Sequence, residues 1–348
     1  MGKTITATTF MILATKGLIA LDDPIRKYYP EFDVNTIFGN DTKQLRNCFM
    51  LKRNTSIMKK IKIVVDSTCD LDLDLAEKYD IALVPFSIII GEKLYKENIT
   101  ITKEEFYQMM QTTKYHPKTG LPQPKEFYEV FEKFLKEGRE IVCLTISGAF
   151  SGTFNSAMVS SKMLDPEKIH IVDSRNSTLG LGLLAIEAAK LAEKGSSAKE
   201  IVEHLLKIIP KTRTLAMAGT LEWLQKGGRI GKAQWLVGSL LGFKPFIGLE
   251  DGVVTGFGRT RGIDTAMKAL KYVGLNALKD PNVRILMVGY TTLPEAAKEL
   301  VIFFKEKAPQ KEIILTRLGA ALGTQVGPGC FGLGWIGEFD KNWLKNTS

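Results

Sequence analysis

From residue 61 onward, short apolar runs alternate with longer amphipathic stretches. "KIVVD" at 62–66 is followed by a helical pattern at 71–79, and "IALVPFSIII" at 81–90 by another at 103–112. A third helical pattern at 124–136 leads into "IVCLTIS" at 141–147. Helices at 153–164 and 182–194 bracket "KIHIVDS" at 168–174, the Ser196-Ser197 pair caps one more helix, and "TLAMAG" at 214–219 ends the series. Apolar runs without polar alternation, separated by amphipathic helices, bury both faces of a sheet. The pattern therefore predicts a parallel, doubly wound α/β domain over residues 61–219.

The grammar changes after residue 220. Two apolar runs in "PFIGLEDGVVTGF" (245–257) flank Asp251-Gly252, a pair that favours a tight hairpin. Helical patterns at 263–278 and 294–307 alternate with "VRILMVGYT" at 283–291 and "EIILTRLG" at 312–319. They predict a second α/β domain, with antiparallel pairs, over residues 220–338. The glycine-rich stretch "GTQVGPGCFGLGWIG" at 323–337 reads less as an ordinary strand than as backbone pressed against a neighbour or ligand. Residues 1–60 follow neither pattern: a helix exit at Pro24 and Pro30, then a polar, basic stretch at 40–60, suggest an N-terminal helical appendage and a linker.

Composition narrows the function classes. The chain of 348 residues has 47 Lys+Arg against 38 Asp+Glu, a formal charge of +9. These basic residues are scattered, whereas a nucleic-acid binder gathers them on one face or tail, so no nucleic-acid partner is expected. Cys48, Cys69, Cys143 and Cys330 stand far apart and away from the histidines, which argues against a metal site or a disulfide framework and for the reduced thiols of a cytoplasmic protein. No apolar stretch reaches the length of about eighteen residues that a membrane helix needs, and "TITATTFMILAT" at 4–15 lacks a cleavage pattern.

Candidate chemistry lies at the strand ends. In an open α/β sheet, ligands sit beyond the carboxyl ends of the strands, where helix N-termini offer free N–H groups. Three such ends carry hydroxyls: "DST" at 66–68, "SGAFSGT" at 147–153 and "DSRNST" at 173–178. A fourth polar loop, "HPKTGLPQP" at 116–124, precedes a helix. One such residue alone is a helix cap. Several along one sheet edge make a donor-lined hollow suited to a carboxylate or a phosphate oxygen.

Seven stretches in order resemble the motifs of the DegV family of fatty-acid-binding proteins: "VDSTCDL" (65–71), "TGLPQPKEF" (119–127), "ISGAFSGTFNSA" (146–157), "VDSRNSTLGLG" (172–182), "TLEWLQKGGRIGKA" (220–233), "KPFIGLEDGVV" (244–254) and "RLGAALGTQVGPGCFG" (317–332). The resemblance implies two α/β domains enclosing one long-chain fatty acid, without a cofactor or a catalytic residue. It implies that Thr119 and Ser151 hold the carboxylate, that Ser67, Thr68, Gly120, Gly152 and Thr153 line the same end, and that Arg229 lies near the acid head. It also implies presentation of the acid to a fatty acid kinase subunit. Two positions depart from the family: Gly120 stands where a serine is usual, and Gln325 where a histidine is often found. One donor is lost, and a titratable group becomes an amide that still donates.

Residues 1–32, with "LDDPIRKYYPEF" at 21–32, are similar to an internal piece of the serine β-lactamase and penicillin-binding-protein family. Lys3 matches the lysine of the S-x-x-K motif, whose serine would precede Met1, so this segment is expected to be a non-catalytic appendage. The alternative function is a serine hydrolase acting on acyl esters through Ser151 or Ser147. It lacks a recognised base among His116, His170 and His204. "LGLG" at 179–182 lacks the third glycine of a dinucleotide fingerprint.

Overall fold

The computed structural model describes residues 60–237 and 242–344. Lys60 apart, the appendage expected at 1–60, with Lys3 and Cys48, lies outside them.

Strand β1 (Ile61–Asp66) is buried along its whole length, as a strand covered on both faces must be. The expected strand at 81–90 is two strands, β2 (Ile81–Val84) and β3 (Ser87–Ile90). Pro85 between them has no N–H for a ladder, and the chain leaves the sheet there. With β4 (Lys93–Lys96) and β5 (Lys118–Gly120), β3 forms a three-stranded antiparallel sheet in which Ile88 pairs with Thr119. Strands β6 (Glu140–Thr145) and β7 (Ile169–Asp173) complete a parallel sheet of order β2-β1-β6-β7.

Helices α1 (Leu73–Lys78), α2 (Lys103–Thr112), α3 (Pro124–Lys136) and α4 (Thr153–Met163) follow these strands. The α2 entry is fixed by a capping box between Thr102 and Glu105. On α3, Phe127, Phe131 and Phe134 form an i, i+4, i+7 stripe that packs with Ile141 and Cys143 of β6. Helix α5 (Thr178–Glu193) starts four residues before the expected 182, so Gly180 and Gly182 fall inside a helix rather than in a nucleotide loop. It is buried on almost every side, the mark of a helix covered all round. Helix α6 (Ala198–Ile208) follows the Ser197 cap as expected.

Strand β8 (Thr212–Met217) does not extend the parallel sheet as its place in the series suggested. It lies in a six-stranded sheet with β9 (Phe243–Glu250), β10 (Val253–Arg261), β11 (Ile285–Tyr290), β12 (Glu312–Arg317) and β13 (Phe331–Ile336), in the order β10-β9-β8-β13-β11-β12. A buried apolar run carries no sign of its partner's direction, and both neighbours of β8 are antiparallel to it. The β9–β10 hairpin turns at Asp251 (φ 55°) and Gly252 (φ 80°), the two positive angles that make Asp-Gly the preferred pair there. Helices α7 (Glu222–Lys226), α8 (Ile263–Lys279), α9 (Pro294–Lys307) and α10 (Ala320–Val326) complete this half.

The glycine-rich tail is both a helix, α10, and a central strand, β13. Its glycines are the reason the strand can be central: a Cβ on Gly334 would lie 2.5 Å from the Leu179 Cβ of α5. The fold is therefore mixed α/β, with a parallel sheet and a separate antiparallel-rich sheet meeting around α5, as the sequence pattern implied. Among the described residues, no helix is long and apolar enough to cross a membrane.

Candidate functional site

Polar side chains at the end of β1 first serve the fold. The Asp66 carboxylate accepts from Thr68 N at 3.1 Å and from Ile146 N at 2.6 Å, tying the end of β1 to the end of β6. It also takes the Thr68 hydroxyl proton. Burial raises this carboxyl to about 6, against hydrogen bonds from Thr68 and Ile146 that favour its ionised form. Ser67 donates to the Glu97 carboxylate and accepts from Phe86 N at 2.9 Å. Glu97 in turn accepts from Ala321 N at 3.0 Å, and Asp70 from Gly319 N at 2.8 Å. Two buried carboxylates thus receive the first turn of α10.

Beyond these anchors lies an apolar cavity of about 100 Å³. Thr68, Thr119, Ser151, Arg229 and Gln325 line it, although they come from five separate segments. Thr119 is placed by β5, and its hydroxyl accepts from Gln325 Nε2 at 3.3 Å, so its own proton is available for donation. The Ser151 and Thr153 hydroxyls lie 2.7 Å apart, just before α4. Gln325 Oε1 is buried and has no protein partner. Arg229 is exposed and donates from Nη1 to Gly227 O at 2.6 Å, which fixes its loop while the side chain borders the cavity. It is the one charged residue among the described lining residues, so nothing there repels an anion.

The other expected residues stand outside this lining. Ser67 is engaged with Glu97 and Phe86; Gly120 approaches Ser87, Gly152 approaches Leu121, and buried Thr153 acts through Ser151. Thr68 lines the cavity with its hydroxyl already committed to Asp66. Phe150 and Ile247, expected as apolar lining, are found there, whereas Phe154 is not. Leu318 and Leu322 around α10 and Thr214 on β8 also line the cavity, and sequence reasoning missed them. A signal existed in "RLGAALGTQV", whose small residues let α10 approach Tyr107 and Glu97 closely.

Ser151 has no base beside it. His170 bonds Glu140 at 2.6 Å, and His116 stacks on Trp223 with ring centroids 4.6 Å apart. His116 is also held below the ordinary histidine value by burial and by Lys226.

A family model described as "Uncharacterised protein, DegV family" matches residues 60–338. The chain belongs to the DegV family. A DegV domain-containing protein of Caldanaerobacter subterraneus subsp. tengcongensis is 34% identical over 280 residues, covering 79% of this chain and 98% of the relative. Among solved structures, a stearic acid-binding protein from Eubacterium ventriosum aligns at 31% identity with a TM-score of 0.73, covering 79% of this chain and 98% of that one. The DegV fatty acid binding protein of Bacillus subtilis aligns at 28% identity and TM-score 0.73, covering 80% of this DegV-family chain and 99% of its own.

Proposed function

We propose that the cavity binds one long-chain fatty acid, with its carboxylate held by the hydroxyls of Thr119 and Ser151 and neutralised by Arg229. The observation that carries this reading is the pairing of apolar walls with two hydroxyls and a single charged residue, the arginine, among the described lining residues. The fatty acids named for the solved relatives in Eubacterium ventriosum and Bacillus subtilis support it.

The energetics favour a lipid over a small acid. Each methylene removed from water contributes about 0.8 kcal/mol, whereas an ionised head left dry and unpaired costs several kcal/mol. Hydroxyl donors and a guanidinium remove that cost. Solvent extraction of purified protein followed by mass spectrometry should release a long-chain acid in one-to-one ratio. Absence of acyl chains together with no uptake of added palmitate would refute the reading.

The finer part of the reading is presentation of the acid to a fatty acid kinase subunit, supported by the exposure of Arg229 beside the head-group hydroxyls. Palmitate-loaded protein mixed with such a subunit and ATP should yield an acyl phosphate that hydroxylamine traps as a hydroxamate. No hydroxamate from loaded protein would remove the kinase from the proposal and leave lipid binding standing.

A further inference from the structure

A second, larger cleft of about 370 Å³ lies across β8 from the lipid cavity, sharing only Thr214 and Leu249 with it among the described residues. Its character is different. Three cations border it: Arg175, Arg213 and Lys341. Two are already neutralised, since Lys341 pairs with Glu250 at 3.0 Å and Arg175 with Asp251 at 3.3 Å. Arg213 is the exception: its Nη1 donates to Pro210 O at 2.6 Å, and no carboxylate among the described residues lies within ion-pair distance. A half-buried guanidinium with donors to spare is a costly arrangement unless an anion completes it. Beside it stand the half-buried rings of Phe257 and Phe339, packed edge to face at 5.3 Å.

We propose that this cleft is a second ligand site, taking a small aromatic carboxylate whose anionic group lies on Arg213 and whose ring lies against Phe257 and Phe339. The charge balance selects the class. With Glu250 and Asp251 in the same wall, the surplus is a single positive charge, which suits a carboxylate and opposes a doubly charged phosphate. Guanidinium and carboxylate also match as forks. The site is independent of the lipid reading, because Arg213 does not line the lipid cavity.

The test uses the full chain saturated with palmitate, with benzoate as probe and benzamide as its uncharged counterpart. Binding is read from the indole Nε1–H signal of buried Trp335, which borders the cleft. Benzoate should shift that signal saturably, and benzamide should bind at least about tenfold more weakly. Arg213→Gln should weaken benzoate by about tenfold or more while palmitate uptake stays the same, and Glu250→Gln should tighten it about twofold or more by removing an opposing charge. Equal binding of benzoate and benzamide, or an unshifted Trp335 signal throughout the titration, would overturn the proposal. If Arg213→Gln does not fold, Glu250→Gln decides alone: no tightening rejects the site.

Discussion

At the scale of single residues, the carboxylate clamp separates two uses of the same side-chain chemistry. Serine and threonine at strand ends either cap backbone N–H groups or face a ligand, and their sequence looks alike. The structure divides them by their partners. Ser67 and Thr68 are bound to Glu97 and Asp66, whereas Thr119 keeps a free proton and Ser151 shares its hydroxyl with Thr153. Thr119→Ala and Ser151→Ala should therefore each weaken palmitate binding by about tenfold, the loss of one hydrogen bond to a charged group, and leave the melting temperature within a few degrees. Calorimetry of both variants checks this; a large fall in melting temperature would mean that the hydroxyls serve the fold instead. What sequence made legible was the hydroxyl-bearing strand ends. Which hydroxyls were already engaged depended on Glu97 and Ile146, partners remote in the chain that periodicity cannot show.

At the scale of elements, local signals read well and long-range pairing did not. The Asp251-Gly252 hairpin, the Ser197 cap and the phenylalanine stripe of α3 depend on neighbours within a few residues, and each is visible in the sequence. The pairing of β8 with β13 and the separate β3–β4–β5 sheet depend on partners far along the chain. Glycines in β13 are the compensating feature: Gly334→Ala should cost about 1–3 kcal/mol by forcing α5 away, measured as a lower denaturation midpoint. Helix α10 carries a pH dependence of its own. Burial lifts the Asp70 carboxyl to about 7 from 3.8, with Lys103 pulling it part of the way back. The folded chain then holds this proton more tightly than the unfolded chain. That contribution to stability is complete below the unfolded value of 3.8 and is lost as pH rises toward about 7. Asp70→Asn keeps an acceptor for Gly319 N but removes the titration, so the decline of stability between pH ~4.5 and ~7.5 should become shallower. Urea midpoints at the two ends of that range measure it, and an unchanged slope would assign the titration elsewhere.

At the scale of the whole molecule, the cavity sets what a lipid does to the protein. Its volume of about 100 Å³, at about 10–15 Å³ for each water-sized group, seats on the order of seven to ten such groups in its present width. The first half of a sixteen-carbon chain therefore enters space that exists, and the second half must part packed walls such as Leu322 and Phe150. Affinity should accordingly rise about fourfold for each methylene up to roughly ten carbons, the full transfer value, and more gently from there to palmitate. Saturating palmitate, at about a hundred times its dissociation constant, should add about 2.7 kcal/mol and raise the melting temperature by roughly 5–10 °C. A chain-length series from octanoate to palmitate, read by calorimetry and thermal melts, tests both statements together. A flat series would place the tail outside the protein, with the head group alone bound at Thr119 and Ser151. A series that steepens beyond ten carbons would mean that the walls open at no cost, and that the cavity is held ready for the whole chain before the lipid arrives.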